Sequence, residues 1–238
     1  MKIGGLVPVS LLDYPGMPCI SIFTLGCNLR CPFCHNPGLV LDQAHGEVSH
    51  EAVLEFLRQR RGKVNAVCIS GGEPTVQPGL VSFIREAKHM GYKVKLDTNG
   101  SRPEVLQALL DEGLLDYAAI DIKSSPAKYR QATGGLMDFA LAAQTVDILR
   151  GKNTRFELRT TAVPGLVSLE DLEMIIQLLG PVPRFALQQF RSKQTLDPAF
   201  AAVAPYPAGW FEKARNIIGD RAQEVTIRGI CFVTGIAK

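Results

Sequence analysis

No long apolar run occurs anywhere in the 238-residue sequence. The longest uncharged stretch, Tyr14–Leu29, covers 16 residues and is interrupted by two prolines, two glycines and an asparagine. A membrane-crossing helix takes about 20 predominantly apolar residues, so no transmembrane span is expected. Charge of one sign is also scarce. Lys and Arg total 26 against 23 Asp and Glu, a net charge of +3 scattered along the chain. Without a basic stripe there is no electrostatic footprint for nucleic acid. Low-complexity segments and Pro/Gly-rich linkers are missing too. With 46% hydrophobic and 21% charged residues, disordered, collagen-like and fibrous classes are excluded. One domain spanning residues 1–238 is the expectation. The N-terminus has one Lys and then an apolar stretch cut by Gly4, Gly5, Pro8 and Asp13. That is a poor secretory signal and points to the cytoplasm.

What is present is an alternation of strand-length apolar runs and longer amphipathic segments. Ile20–Leu25, Ala66–Ser70, Tyr92–Leu96, Tyr117–Ile122, Phe156–Val163 and Phe185–Phe190 read as strands, several rich in Val, Ile, Phe and Tyr. Glu224–Arg228 is a weaker strand candidate. Between them, Ser49 caps a helix expected to reach about Arg61, with Val48 and Val53 as a hydrophobic staple and Ala52, Val53, Phe56 and Leu57 as its apolar stripe. A second helix starts near Pro103, repeats Val105, Leu106, Leu109 and Leu110, and stops at Gly113. A third begins at Ser168, turns Leu169, Leu172, Ile175, Ile176 and Leu179 inward, and ends at Gly180-Pro181. Six strand–helix units imply parallel pairing through right-handed crossovers. They are too few for a complete eight-fold barrel of roughly 250 residues, leaving a partial (β/α)6 barrel or an open doubly wound sheet.

Six cysteines are present: Cys19, Cys27, Cys31, Cys34, Cys68 and Cys231. A chain of this length is stabilised by burial rather than disulfides, and nothing marks it as secreted. Cys27-Asn-Leu-Arg-Cys31-Pro-Phe-Cys34 follows the first predicted strand, so three thiolates converge from one loop, here taken as residues 26–36, which reads as metal ligation. Iron–sulfur clusters usually take four cysteines. Three would leave one iron open, as catalysis needs. The rival is a zinc site completed by His35, although His35 directly follows Cys34 and no second ligand pair exists. Cys19, Cys68 and Cys231 read as small buried hydrophobes, and His45, His50 and His89 as solvent-facing.

The segment CNLRCPFCHNP resembles the cluster motif of the radical S-adenosylmethionine family, with Phe33 as the aromatic before the third cysteine. His35-Asn36-Pro37 and Asp13-Tyr14-Pro15-Gly16 are similar to the glycyl-radical-enzyme activase branch. Together with SLLDYPG, ISGGEPT, KLDTNG and LQQFR, the likeness runs from about Gly4 to Leu196, leaving about residues 197–238 as a C-terminal extension. Within that branch it is nearest to the long-form activating proteins of anaerobic ribonucleoside-triphosphate reductase, and more distantly to the pyruvate formate-lyase activating enzyme. The resemblance implies a partial TIM-type barrel, a [4Fe–4S] cluster on Cys27, Cys31 and Cys34, and S-adenosylmethionine as cofactor.

The remaining motifs have physical readings of their own. Gly71 and Gly72 let backbone approach a ligand, since no Cβ intervenes. Asp97, followed by Thr98-Asn99-Gly100, sits at a strand's C-terminal edge, the catalytic side of such sheets. Asp121 and Lys123 share one face of the next strand. Arg159 inside a barrel is costly unless an anion pairs with it. By resemblance, Phe33, His35, Gly71, Gly72, Glu73, Asp97, Asp121, Lys123 and Arg159 contact S-adenosylmethionine, with Glu73's segment at the amino group and Lys123 at the carboxylate. Asp97, Thr98 and Asp121 resemble a monovalent-cation site, for which hard oxygen ligands are suited. Gln189 or Phe190 occupies the place of a histidine that approaches the ribose in the pyruvate formate-lyase activase. Asp13 is implied at the incoming glycine peptide. The implied activity is reductive cleavage of S-adenosylmethionine to a 5′-deoxyadenosyl radical, with a glycyl radical enzyme, foremost anaerobic ribonucleotide reductase, as partner and reduced flavodoxin or a similar donor as electron source. A radical enzyme acting on a small molecule and a zinc-binding module remain alternatives.

Overall fold

The computed structural model describes residues 1–42, 47–152 and 154–230; His45 and Cys231 lie outside the described residues. Eight strands form one sheet in strictly sequential order: β1 (Ile3–Ser10), β2 (Cys19–Thr24), β3 (Ala66–Gly71), β4 (Lys93–Thr98), β5 (Tyr117–Asp121), β6 (Arg155–Ala162), β7 (Val182–Gln189) and β8 (Ala222–Arg228). β1 is antiparallel to β2, and every later pair is parallel. The sheet curls into a partial barrel that stays open between β1 and β8. Helices α1 (Pro37–Val40), α2 (His50–Arg60), α3 (Leu80–His89), α4 (Pro103–Asp111), α5 (Pro126–Ala132), α6 (Phe139–Arg150), α7 (Leu169–Leu179) and α8 (Ala208–Ile218) fill the connections. Among the described residues no helix is long and apolar enough to cross a membrane.

The six predicted strands are all present, and the weaker seventh is β8, paired in parallel with β7. β1 is the strand that the sequence reading did not predict. Gly4, Gly5 and Pro8 suppress strand propensity, yet Gly4 is required there: a Cβ would stand 2.5 Å from the Leu25 side chain. The predicted helix ends hold closely. Ser49 Oγ accepts from Ala52 N at 3.1 Å to open α2, and Ser168 with Asp171 forms a capping box on α7. On α2 the buried stripe is Val53, Leu54 and Leu57, with Ala52 exposed, because the helix begins at His50 and rotates Leu54 inward. His50 departs from its expected solvent-facing role, its ring standing edge-on to Phe83 at 5.3 Å. His89 is exposed as expected.

Strand alternation divides the sheet into two chemically different faces. Ile20, Ile22, Val67, Ile69, Val94, Leu96, Ile120 and Leu158 point to the helices and form the main core. The inner face carries a small cluster of Tyr14, Cys19, Ala66, Cys68 and Tyr117 at the N-terminal end of the strands. Cys19 and Cys68 are therefore buried packing residues, as their strand positions predicted. Above this cluster the inner face turns polar.

The loop after β2 is held by backbone packing at the end of β3. Gly72 N donates to Thr24 O at 2.9 Å, and Glu73 N donates to Gly26 O at 2.9 Å. A Cβ at Gly72 would meet Gly26 O at 2.0 Å, and one at Gly71 would meet Thr24 N at 2.3 Å. Both glycines therefore serve chain-to-chain contact, which places the cysteine loop. Gly72→Ala is expected to destabilise the protein by about 1–3 kcal/mol through overpacking, lowering its melting temperature by several degrees and its iron content after reconstitution. Gly5→Ala, where nothing lies within 4 Å of a Cβ, is the control. Equal melting curves and iron content for the two variants would refute this account of the loop.

Candidate cluster and cofactor site

Every residue singled out above for a ligand, cofactor or peptide role lines one cavity of about 330 Å³ at the C-terminal ends of the strands. Asp13 reaches it from the β1–β2 connection. The loop after β2 brings Cys27, Cys31, Phe33, Cys34 and His35, and the ends of β3 to β7 bring the rest. This is the strand edge at which active sites sit in barrel-type α/β folds.

Cys31 is almost fully buried, while Cys27 and Cys34 are half-buried. Burial pushes the Cys31 thiol up to about 12, with Lys123 working against it and the neighbouring cysteines with it. The Cys27 thiol is raised for the same first reason, and the Leu29 amide that donates to its sulfur at 3.4 Å opposes this. Asn99 Nδ2 lies 3.9 Å from the same sulfur and donates to Asn28 Oδ1 at 3.0 Å, joining the end of β4 to the cysteine loop. Among the described residues no three His, Cys, Asp or Glu side chains form a coordinating group; it is as thiolates that cysteines ligate a metal. His35 is a poor fourth zinc ligand: its ring nitrogen pairs with Asn36 Nδ2 at 3.3 Å. Three soft donors on one cavity wall suit an iron–sulfur cluster with one open iron.

The polar half of the cavity is an ion network. Arg159 bridges the two aspartates, Nη1 to Asp97 Oδ2 at 2.6 Å and Nε to Asp121 Oδ1 at 2.7 Å. Asp97 Oδ1 accepts from Lys95, and Asp121 Oδ2 accepts from Lys123 at 3.0 Å. Burial alone would raise both carboxyls, but Arg159, with Lys95 at Asp97 and Lys123 at Asp121, holds them below the ordinary range. The expectation of a monovalent cation among Asp97, Thr98 and Asp121 is not supported, because the Arg159 guanidinium takes the place between the carboxylates. Thr98 is turned away as well, donating to Glu73 Oε1 at 2.6 Å.

Glu73 is buried and fully engaged. It accepts from Thr75 N at 3.1 Å, from Thr75 Oγ1, from Thr98 Oγ1 and from Asn99 N at 2.7 Å. Burial still outweighs these donors and raises its carboxyl. The side chain thus ties β3 to β4, leaving backbone at this turn to face the cavity. Asp13 accepts from Ser21 Oγ at 2.6 Å. Gln189 donates to Tyr206 O at 3.1 Å and leaves a buried Oε1 with no partner. An orphaned acceptor in the cavity wall fits a hydroxyl-bearing ligand. Sequence reasoning missed Lys95 and Glu157, which are 1% and 0% exposed, and Arg228, which donates to Glu157 Oε2 at 2.8 Å. The signal was available: Lys95 precedes Asp97 by two residues, and Glu157 precedes Arg159 by two, so strand alternation puts each pair on one face.

Comparison with known proteins agrees with this chemistry. The family model described as the radical SAM superfamily matches residues 21–179. A candidate glycyl-radical enzyme activating enzyme of Methanocaldococcus jannaschii is 36% identical over 212 residues, 86% of each chain. The PqqA peptide cyclase of Methylorubrum populi is 36% identical over 120 residues, 49% of this chain and 31% of the cyclase. Among solved structures, Streptococcus suis SuiB bound to its precursor peptide SuiA superimposes with a TM-score of 0.68 at 13% identity, covering 87% of this chain. The chain spans only 47% of SuiB's length, and that likeness concerns the fold. The family carries with it a [4Fe–4S] cluster and S-adenosylmethionine, for which the three cysteines and the cavity provide the matching donors. The chain belongs to the radical SAM superfamily.

Proposed function

We propose that this radical S-adenosylmethionine enzyme is an activase, producing a glycyl radical on a partner enzyme, foremost anaerobic ribonucleoside-triphosphate reductase. A reduced flavodoxin or a similar donor would supply the electron. When bound, the reduced [4Fe–4S] cluster and S-adenosylmethionine supply methionine and a 5′-deoxyadenosyl radical, which takes a hydrogen from the partner's glycine. Cys27, Cys31 and Cys34 would hold the cluster, and Lys123 and Arg159 would face the cofactor's carboxylate. Gln189 would accept from a ribose hydroxyl. Phe33 and the buried walls exclude water from the reacting centre.

The observation that carries the choice of a protein substrate is an apolar lip at the open side of the barrel. Val7, Val9, Leu11 and Leu12 are exposed, Leu11 at 75% and Leu12 at 85%. The next residue, Asp13, lies in the cavity wall. Exposed apolar residues along an edge strand that lead to a cavity-lining residue favour a macromolecular contact over a purely small-molecule one. The similarity to the Methanocaldococcus protein over 86% of each chain supports the same reading.

Two experiments test this function. After anaerobic reconstitution and reduction, incubation with S-adenosylmethionine is expected to release 5′-deoxyadenosine, and Cys31→Ala is expected to lose the cluster and this release together. A glycyl radical signal on a purified reductase partner then separates the activase from a small-molecule enzyme, and cleavage without any such signal sinks the activase reading. In the Leu11→Ser/Leu12→Ser variant, cleavage of S-adenosylmethionine alone should persist. The radical yield at limiting partner should drop by about tenfold or more, the scale set by losing two apolar anchors from an interface. An unchanged yield would remove the lip from the docking surface.

A further inference from the structure

The inner face of the barrel carries more positive charge than its aspartates require. All four carboxylate oxygens of Asp97 and Asp121 already face cationic nitrogens from Lys95, Arg159 and Lys123. Counted together with Glu157, which faces Lys95, and Arg228, which holds Glu157, four cations meet three carboxylates and leave a surplus of one positive charge. Lys95 is 1% exposed and has no outlet to solvent; its ammonium lies between Asp97, Glu157 at 3.8 Å and the Cys68 sulfur at 3.9 Å. Glu157 is held in turn by Arg228. A buried unpaired charge is expensive, so this alternation fixes the position of every member.

A free cation between Asp97 and Asp121 would need the same oxygens that Arg159 and Lys95 hold, and would raise a local charge that is already positive. Thr98, the third oxygen donor expected for such an ion, donates to Glu73 and accepts from Gly100 N at 3.1 Å. We infer that Lys95 and Arg159 are built-in counterions. The protein's own side chains complete the cofactor site, and S-adenosylmethionine binding requires no monovalent metal ion. Lys95 is the positioning residue in this arrangement. It holds one oxygen of Asp97 so that the other meets Arg159, and Arg159 in turn keeps Asp121 beside Lys123. The surplus positive charge then faces the cofactor's carboxylate. This inference concerns the cofactor end of the cavity and is independent of which hydrogen donor the enzyme acts on.

The test is equilibrium binding of S-adenosylmethionine to the cluster-reconstituted protein in potassium, sodium and tetramethylammonium chloride at one ionic strength. Wild type is expected to bind with dissociation constants within about twofold in all three salts. A loss of about fivefold or more in tetramethylammonium, reversed by potassium or sodium, overturns the inference without any variant. Lys95→Met empties one cation position, so its affinity in tetramethylammonium is expected to fall by about tenfold and to recover in part on adding potassium or sodium. Lys95→Met/Glu157→Gln makes the same opening and also neutralises the buried carboxylate oxygen that Lys95 faced, while the part-exposed Arg228 keeps access to water, which guards against misfolding. If the folded double variant binds as wild type does in every salt, or binds weakly with no response to either metal ion, Lys95 is not standing in for a cation.

Discussion

Arg159 is the residue on which the site depends. Its guanidinium spans Asp97 on β4 and Asp121 on β5 while rooted on β6, so one side chain ties three neighbouring strands at their C-terminal ends. Each charge in this network is costly to bury alone and tolerable only when paired. The consequence is geometric. Removing any member leaves a buried charge without its partner, and the strand ends that carry the cofactor residues are held at fixed spacing by electrostatics as well as by sheet hydrogen bonds.

The cysteine loop depends on a different constraint, the approach of backbone to backbone. At Gly72 and Gly26 two chain segments touch with no room for a side chain. Glu73 then extends the link, its carboxylate joining the end of β3 to Thr98 and Asn99, and Asn99 leads on to Asn28 beside Cys27. The three clustered cysteines and the polar residues of the strand ends thus share one frame, built from close packing on one side of the cavity and from ion pairs on the other.

Most of this frame was legible in the sequence. Cys27, Cys31 and Cys34 announced themselves by spacing, and Ser49, Ser168 and Gly180 marked helix ends because capping is local chemistry. The misses have physical causes. β1 was hidden by Gly4, Gly5 and Pro8, residues of low strand propensity, of which Gly4 is dictated by a contact with Leu25 that no local reading can see. The ion pairing of the site was hidden because an aspartate pair announces negative charge, whereas the charges answering it come from two other positions, Lys95 on the same strand and Arg159 on β6, brought there by the fold. What the Gly-Gly-Glu-Pro motif could not tell is how many donors the chain itself supplies to the Glu73 carboxylate. His50 shows the same limit on a smaller scale, its aromatic partner being 33 residues away in Phe83.

The residues that concealed β1 also protect it. β1 lies at the end of the sheet, its outer side met at Ile3 by Val48, and carries exposed Val7 and Val9 beyond that bridge, a combination that invites pairing with another chain. Pro8 has no amide to offer, and the register with β2 slips between Val7 and Ser10. Such irregularities are how natural sheets discourage edge-to-edge growth. The residues that disguise the strand are therefore the ones that make its border a poor template for a further strand.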